Sequence, residues 1–280
     1  MSQTSSATYS ILETIHQSPH TIVHRAVRQN DQREVILKQL NIPRPTPLQI
    51  ARFESEYDIT QFVASPYTVE PLGYELFGSS YIIVLTDTRS TALDLYIEHN
   101  PISLLNTLKI AIQLVDALDV IHKKQVIHKD INPSNILYRA ADQKVQLIDF
   151  SISTRLAREA QQIVNLQQLQ GTLAYISPEQ TGRMNRPLDY RTDFYSLGVT
   201  LYELFTGRLP FETADEMEMI HSHLARQPLH PSHVNQECPS MVGDIVMRLM
   251  AKTAEERYQT AYGLKADLQS CLTQCEMDGQ

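Results

Sequence analysis

The spacing of apolar residues changes character near residue 90. Before it, they fall in short runs, TYSILETI, TIVHRAV, EVILKQL and YIIVLTD, each of strand length and rich in β-branched side chains. One helical interval interrupts them: after Pro47, residues Ile50, Phe53, Tyr57 and Phe62 recur at helical spacing with charges between them. Beyond residue 100 the helical period dominates. Leu104, Leu108, Ala111, Val115 and Leu118 form one stripe of a helix running to about Lys123. Two short strands are predicted around Ile136–Tyr138 and Lys144–Ile148, and further helices over 191–206, 213–225, 239–250 and 259–274. The pattern predicts an α+β chain. A small β-rich lobe with one main helix covers about 9–87, a join about 86–91, and a larger, mainly helical lobe about 92–274.

Composition narrows the functional classes. The chain has 280 residues, 42% apolar and 20% charged, a globular balance long enough for one large domain or two lobes. Lys and Arg number 24 against 32 Asp and Glu, a formal charge of −8, which argues against a nucleic-acid binder relying on a broad basic field. No apolar run approaches the roughly 18–20 residues that span a bilayer. The start, MSQTSSATYS, has no basic segment leading into an apolar one, so no export signal is expected. Cys238, Cys271 and Cys275 are too few for a disulfide framework. A cytoplasmic protein without a membrane segment is the expectation.

The densest chemistry lies in His128-Lys129-Asp130-Ile131-Asn132-Pro133-Ser134-Asn135, which leads into a short strand. Fourteen residues after Asn135, a second strand ends in Asp149-Phe150-Ser151. Two strands thus deliver a carboxylate, an amide and a second carboxylate to one edge. Such a set can orient a hydroxyl nucleophile and hold a hard divalent cation through oxygen. One Asp alone would more simply cap a turn.

Other segments extend the signal. Val35-Ile36-Leu37-Lys38 is an apolar strand ending in a lysine, and Glu56 follows 18 residues later on the helical interval. Gly171-Thr172-Leu173-Ala174-Tyr175-Ile176-Ser177-Pro178-Glu179 comes next, then Asp193-Phe194-Tyr195-Ser196-Leu197-Gly198, and Arg257 in Glu-Glu-Arg-Tyr. In order and spacing this series resembles the protein kinase family from about residue 9 to 272. The implied fold is the two-lobed protein-kinase fold, with 1–280 as one kinase domain.

The resemblance assigns roles. Lys38 would neutralise the ATP phosphates and pair with Glu56. Asp130 would orient the acceptor hydroxyl and take its proton. Asn135 and Asp149 would hold Mg2+, with Mn2+ as a substitute. Thr172 would buttress Asp130 and point to Ser or Thr substrates. Ile15, Ser18, Val23, Ile36, Leu85, Asp87 and Leu137 would line the nucleotide. Glu179 and Arg257 would form a buried structural pair. Asp193 would cap its helix and brace the catalytic loop, and His128 and Phe150 would pack in the core.

Three departures from the family pattern matter. Its glycine-rich loop precedes a valine, here Val23, and the glycine positions hold His16, Ser18 and Thr21; the first glycine of the chain is Gly73. Without glycines, backbone amides approach phosphate less closely, so ATP is held differently or more loosely. Asn132 stands where serine/threonine kinases place a lysine on the transferred phosphate, and a neutral amide cannot replace that charge. Ser151 replaces the glycine of Asp-Phe-Gly, which makes rearrangement of that segment harder. Ile36 narrows the roof of the adenine pocket.

The expected function is ATP-dependent phosphorylation of protein Ser/Thr hydroxyls at a reduced rate. The alternative is a pseudokinase-like module that binds nucleotide or scaffolds and signals through a partner. From Arg155 to Gly171 there is no Ser, Thr or Tyr, so no activating phosphorylation is expected there. The run from Gly171 through Gly182-Arg183-Met184-Asn185-Arg186 to Gly198, with HKDINPSN, resembles a bacterial, cyanobacterial-type subgroup. There a kinase domain opens a long chain, and ATPase, sensor and histidine kinase domains downstream are the implied partners.

Other features read as ordinary. His16, His20 and His24 lie on a hairpin rather than a metal-binding helix face, and His221, His223, His230 and His233 read as a solvated loop. Cys271 and Cys275 share a helix face as plain thiols. Arg183 and Arg186 serve docking or solvation.

Overall fold

In the computed structural model, which describes residues 9–155, 173–183 and 187–278, the early apolar runs pair into one antiparallel sheet. Strands β1 (Tyr9–Gln17), β2 (Thr21–Arg28), β3 (Arg33–Leu40), β4 (Pro71–Phe77) and β5 (Ser80–Thr86) lie in the order β1-β2-β3-β5-β4. Side chains alternate across a strand. Val35 and Leu37 therefore join Tyr9, Ala26, Ile82 and Val84 in a core on one face, leaving Ile36 and Lys38 on the other. The register sets Val23 and Ile83 opposite Lys38, and Arg25 and Leu85 opposite Ile36. β4, with a Pro, a Gly and a Glu in its seven residues, lacks a strand signature and lies at the sheet edge.

Helix α1 (Pro47–Phe62) starts where local chemistry dictates: Thr46 and Gln49 form a capping box around Pro47 at the first position. It buries Phe53, Glu56, Ile59 and Thr60, and Phe53 packs with Leu40 and Ile83. Phe62, which the spacing places on the buried stripe, is 42% exposed. The buried face is rotated because a carboxylate, Glu56, takes its centre. This sheet and helix belong to one compact unit, Met1–Ser90 with Asp149–Ser151.

The second unit comprises Thr91–Ile148 and Ile152–Gln280. It opens with β6 (Thr91–Ala92) and α2 (Leu93–His99), neither of which the periodicity resolves. Helix α3 (Leu104–Lys123), capped by Ser103, buries Leu108, Ala111, Val115 and Leu118 together with Leu114 and Ile121. Short strands follow: β7 (Val126–Ile127), β8 (Ile136–Arg139), β9 (Lys144–Leu147) and β10 (Thr154–Arg155), paired as β6-β8-β9 and β10-β7.

Helix α4 (Arg191–Thr206) is the hub, with every residue from Thr192 to Tyr202 buried. Gly198 is required there: a Cβ would lie 2.7 Å from Leu249 Cβ. The rest is α5 (Glu216–Ala225), α6 (Pro231–Val234), α7 (Ser240–Leu249) and α8 (Ala261–Asp278). α8 packs along α3, joined to it by Lys265 Nζ and Asp116 Oδ1 at 2.6 Å. Among the described residues no helix is long and apolar enough to cross a membrane.

Candidate active site

In the first unit, three charged groups meet. Lys38 Nζ, brought to the sheet face by the β3 register, donates to Glu56 Oε1 of α1 at 2.5 Å and to Asp149 Oδ1 at 3.0 Å. Lys38 and Glu56 are 9% and 6% exposed, so each charge depends on the others. Burial opposes the ammonium charge, but Asp149 and Glu56 outweigh it and hold Lys38 above its ordinary range. Burial raises Glu56 despite the pull of Lys38. At Asp149 burial also acts upward, yet Lys38 and Ser151 prevail and bring its carboxyl down to about 2. Asp149 Oδ1 accepts from Lys38 and from Ser151 N–H at 3.2 Å. Asp149 adopts φ 65°, while Ser151 lies outside the positive-φ region.

In the second unit, the residues from His128 to Asn135 form a fully braced loop. Asp130 is half-buried. Asn135 Nδ2 donates to Asp130 Oδ2 at 2.7 Å and to Asp130 O at 3.0 Å. Both bonds use the amide nitrogen, so the Asn135 Oδ1 takes no part in holding Asp130. Asn132 is only 2% exposed and bonds within the loop. Its side chain is thus committed inside the loop. Thr172 lies outside the described residues, as do Met184, Asn185, Arg186 and the stretch 156–171.

Asp193 supports this loop from α4. Its Oδ2 accepts from His128 N–H at 2.9 Å and from His122 Nε2 at 2.8 Å, and its Oδ1 from Lys129 N–H at 2.8 Å. Burial opposes its charge, but His122 and His128 hold the carboxyl below its usual value. It does not cap α4, whose N-cap is Tyr190 without a side-chain bond; its oxygens are spent on the loop. Lys129, at φ 71°, is pinned on both sides, with its carbonyl accepting from Gln180 Nε2 at 2.8 Å. His128 is fully buried, with Nε2 on Ile148 O at 3.0 Å and Nδ1 accepting from Asp130 N–H at 3.3 Å, which fixes the proton on Nε2. Phe150 is also buried. His122 and Gln180 carry no sequence signal for these roles; one reads as a helix-end histidine and the other as a loop amide.

The nucleotide-lining candidates divide between the units. Val23, Ile36 and Leu85 share the Lys38 face of the sheet. Ile15 lies in an irregularity of β1 and is 43% exposed. Leu137 lies on β8 opposite Ala92. Ser18 organises the glycine-free turn: its Oγ accepts from His20 N–H at 3.2 Å and Thr21 N–H at 3.0 Å, so these amides already have partners. Asp87 is tied by its carboxylate to Arg25 Nε at 2.6 Å and to Arg89 N–H at 2.8 Å, leaving its main chain for any base contact.

Glu179 and Arg257 form a buried pair at 2.6 Å. His24 is hydrogen-bonded to Thr14 Oγ1 at 3.1 Å. His223 contradicts the solvated-loop expectation: it is fully buried on α5, 3.0 Å from the Tyr195 hydroxyl, with its ring edge-on to Phe211. Burial, then the charge of Lys252, push it down to about 3, so it is a neutral core residue.

Comparison with known proteins gives the family. The protein kinase domain model matches residues 9–268, and the chain belongs to the protein kinase family. It is similar to hybrid signal transduction histidine kinase G of Dictyostelium discoideum, 35% identical over 229 residues, which cover 58% of this chain and 7% of that protein. A probable serine/threonine-protein kinase of Clostridium perfringens, CPE1738, is 29% identical over 263 residues, 93% of this chain and 38% of the relative. Serine/threonine-protein kinase PknB of Mycobacterium tuberculosis is 30% identical over 188 residues, 67% of this chain and 30% of that protein. The chain therefore spans well under half the length of each.

Proposed function

We propose that this domain transfers the γ-phosphoryl group of ATP to a Ser or Thr hydroxyl of a protein, with Mg2+ as the metal. The observation that carries the reading is the Lys38 ammonium held between Glu56 and Asp149. A buried cation shared by two carboxylates is expensive to desolvate, and binding phosphate is a use that fits that cost. Lys38 would neutralise phosphate oxygens. Asp130 would take the proton of the acceptor hydroxyl as its oxygen attacks phosphorus and the bond to ADP breaks. Asn135 and Asp149 would each offer an oxygen to the metal, which would screen the phosphate charges when bound. The Ser18-capped turn fits a loose grip on ATP and a modest rate. The similarity to a hybrid histidine kinase favours a role as one module of a longer signalling chain.

The test is phosphate transfer from Mg-ATP to a generic protein substrate by wild type and Asp130→Asn. Transfer by wild type and its loss in the variant, with unchanged melting, supports the reading. No transfer with either Mg2+ or Mn2+, combined with ATP-dependent stabilisation, would favour the nucleotide-binding module instead.

A further inference from the structure

Asn132 occupies a lysine position of the family, yet its amide is fully engaged inside the loop. Nδ2 donates to Asp130 Oδ1 at 2.9 Å and to Asp130 O at 3.2 Å. Oδ1 accepts from Ser134 N–H at 3.0 Å and from Ser134 Oγ–H at 2.5 Å. A primary amide has two N–H donors and one oxygen with two lone pairs, so these four bonds exhaust it. Only one orientation works. Flipped, the oxygen would face two oxygens of Asp130 and the NH2 group would meet a backbone N–H.

The following residue holds this arrangement in place. A residue before proline is driven to extended backbone, and Asn132 sits at φ −155°, ψ 164°. Pro133 opens the short turn whose Ser134 N–H Asn132 caps. Asn135, which closes the same turn, binds the opposite carboxylate oxygen of Asp130 at 2.7 Å. The Asp130 carboxylate is thereby held at Oδ1 by one amide and at Oδ2 by another. Lysine, with three donors and no acceptor, could not cap Ser134 and would leave that end of the network open.

We infer that Asn132, oriented by Ser134, is a positioning residue that fixes the Asp130 carboxylate for the acceptor hydroxyl, a role separate from any contact with phosphate. This rests on the reading of Asp130 as the proton acceptor. Its consequence is counterintuitive: restoring the family lysine lowers turnover.

The test compares Asn132→Ala, Asn132→Asp, Asn132→Lys and Ser134→Ala with wild type, with melting temperature as the check on folding. Asn132→Asp still accepts from Ser134 but presents an oxygen to Asp130, so it preserves a merely structural cap and destroys the positioning bond. Expected is a fall in kcat of about 10- to 100-fold for the Ala and Asp variants, the scale of one lost hydrogen bond to a charged group. KM for ATP stays within about two-fold, as expected when only a transition-state interaction is lost. Asn132→Lys also falls below wild type, and Ser134→Ala falls less. Wild-type kcat in Asn132→Asp, or a gain in Asn132→Lys, overturns the inference. Crystal structures of wild type and Asn132→Ala decide it without turnover. Asp130 keeps one rotamer in the first and is displaced or split in the second, and an unmoved Asp130 in the variant overturns it. If wild type transfers no phosphate, the kinase reading falls, while the Asp130 rotamer still judges the positioning role.

Discussion

Arg257 and Glu179, 78 positions apart, meet as a two-pronged pair, Nη1 to Oε1 at 2.6 Å and Nη2 to Oε2 at 2.9 Å. The remaining guanidinium N–H groups donate to the carbonyls of Ala251, Arg191 and Lys252. All five donors are satisfied on a side chain 1% exposed. Removing one partner leaves the other charge buried and alone. Arg257→Met should lower stability by about 3–5 kcal/mol. Arg257→Lys should fare little better, because an ammonium lacks the planar fork. Denaturant unfolding checks both; losses near zero would show that the pair is dispensable.

Lys38→Met removes the cation between Glu56 and Asp149. In wild type Glu56 is raised above its ordinary value, so its contribution to stability is complete below the unfolded carboxyl pKa and declines as pH rises through the folded one. Without Lys38 that folded value climbs further. The variant should therefore lose about 3 kcal/mol at pH 8 and less at pH 6, where Glu56 can take a proton. Unfolding at the two pH values measures this, and an equal loss at both would contradict it. Phosphate transfer should be abolished at either pH.

Ser18→Gly frees the His20 and Thr21 amides from the Ser18 hydroxyl and restores backbone freedom to the turn. KM for ATP should fall several-fold with little change in kcat, the signature of added uniform binding. Steady-state kinetics against ATP concentration decides it; an unchanged or higher KM would mean that the turn does not face the phosphates.

Lys252 Nζ donates to the Tyr195 hydroxyl at 3.2 Å and to Ser222 O at 3.4 Å. Burial first, then the charge of Arg257, push its pKa from 10.5 down to about 8. Between those values the unfolded chain binds more protons than the folded one, so this residue's contribution to stability rises with pH across that window. Wild type should gain on Lys252→Met from pH 8 to 10 in parallel denaturation curves. A constant gap would place the folded pKa at its ordinary value.

Much of the fold was legible because strand alternation, the 3.6-residue period and helix openers such as Pro47 act between near neighbours. The predicted 191–206 helix is α4 to the residue, and the strand around Ile136–Tyr138 is β8 with one residue more. β4 and α2 were not legible. One carries breakers that only its edge position tolerates, and the other is too short for its period to show. Phe62 and His223 misled for a shared reason: an apolar residue reads as buried and a histidine near prolines as solvated, while packing decides both.

By itself the sequence determined which residues bear charge and at what intervals, and hence the family, since order and spacing are properties of the chain. Tertiary structure alone decided how those residues are used. It bound Lys38 to Asp149 across 111 positions, spent Asp193 on the His128 and Lys129 amides instead of its own helix, and closed the Asn132 amide around Asp130. Each outcome depends on where donors and acceptors from distant segments arrive and on the cost of leaving any of them unpaired once buried, and no local pattern encodes that.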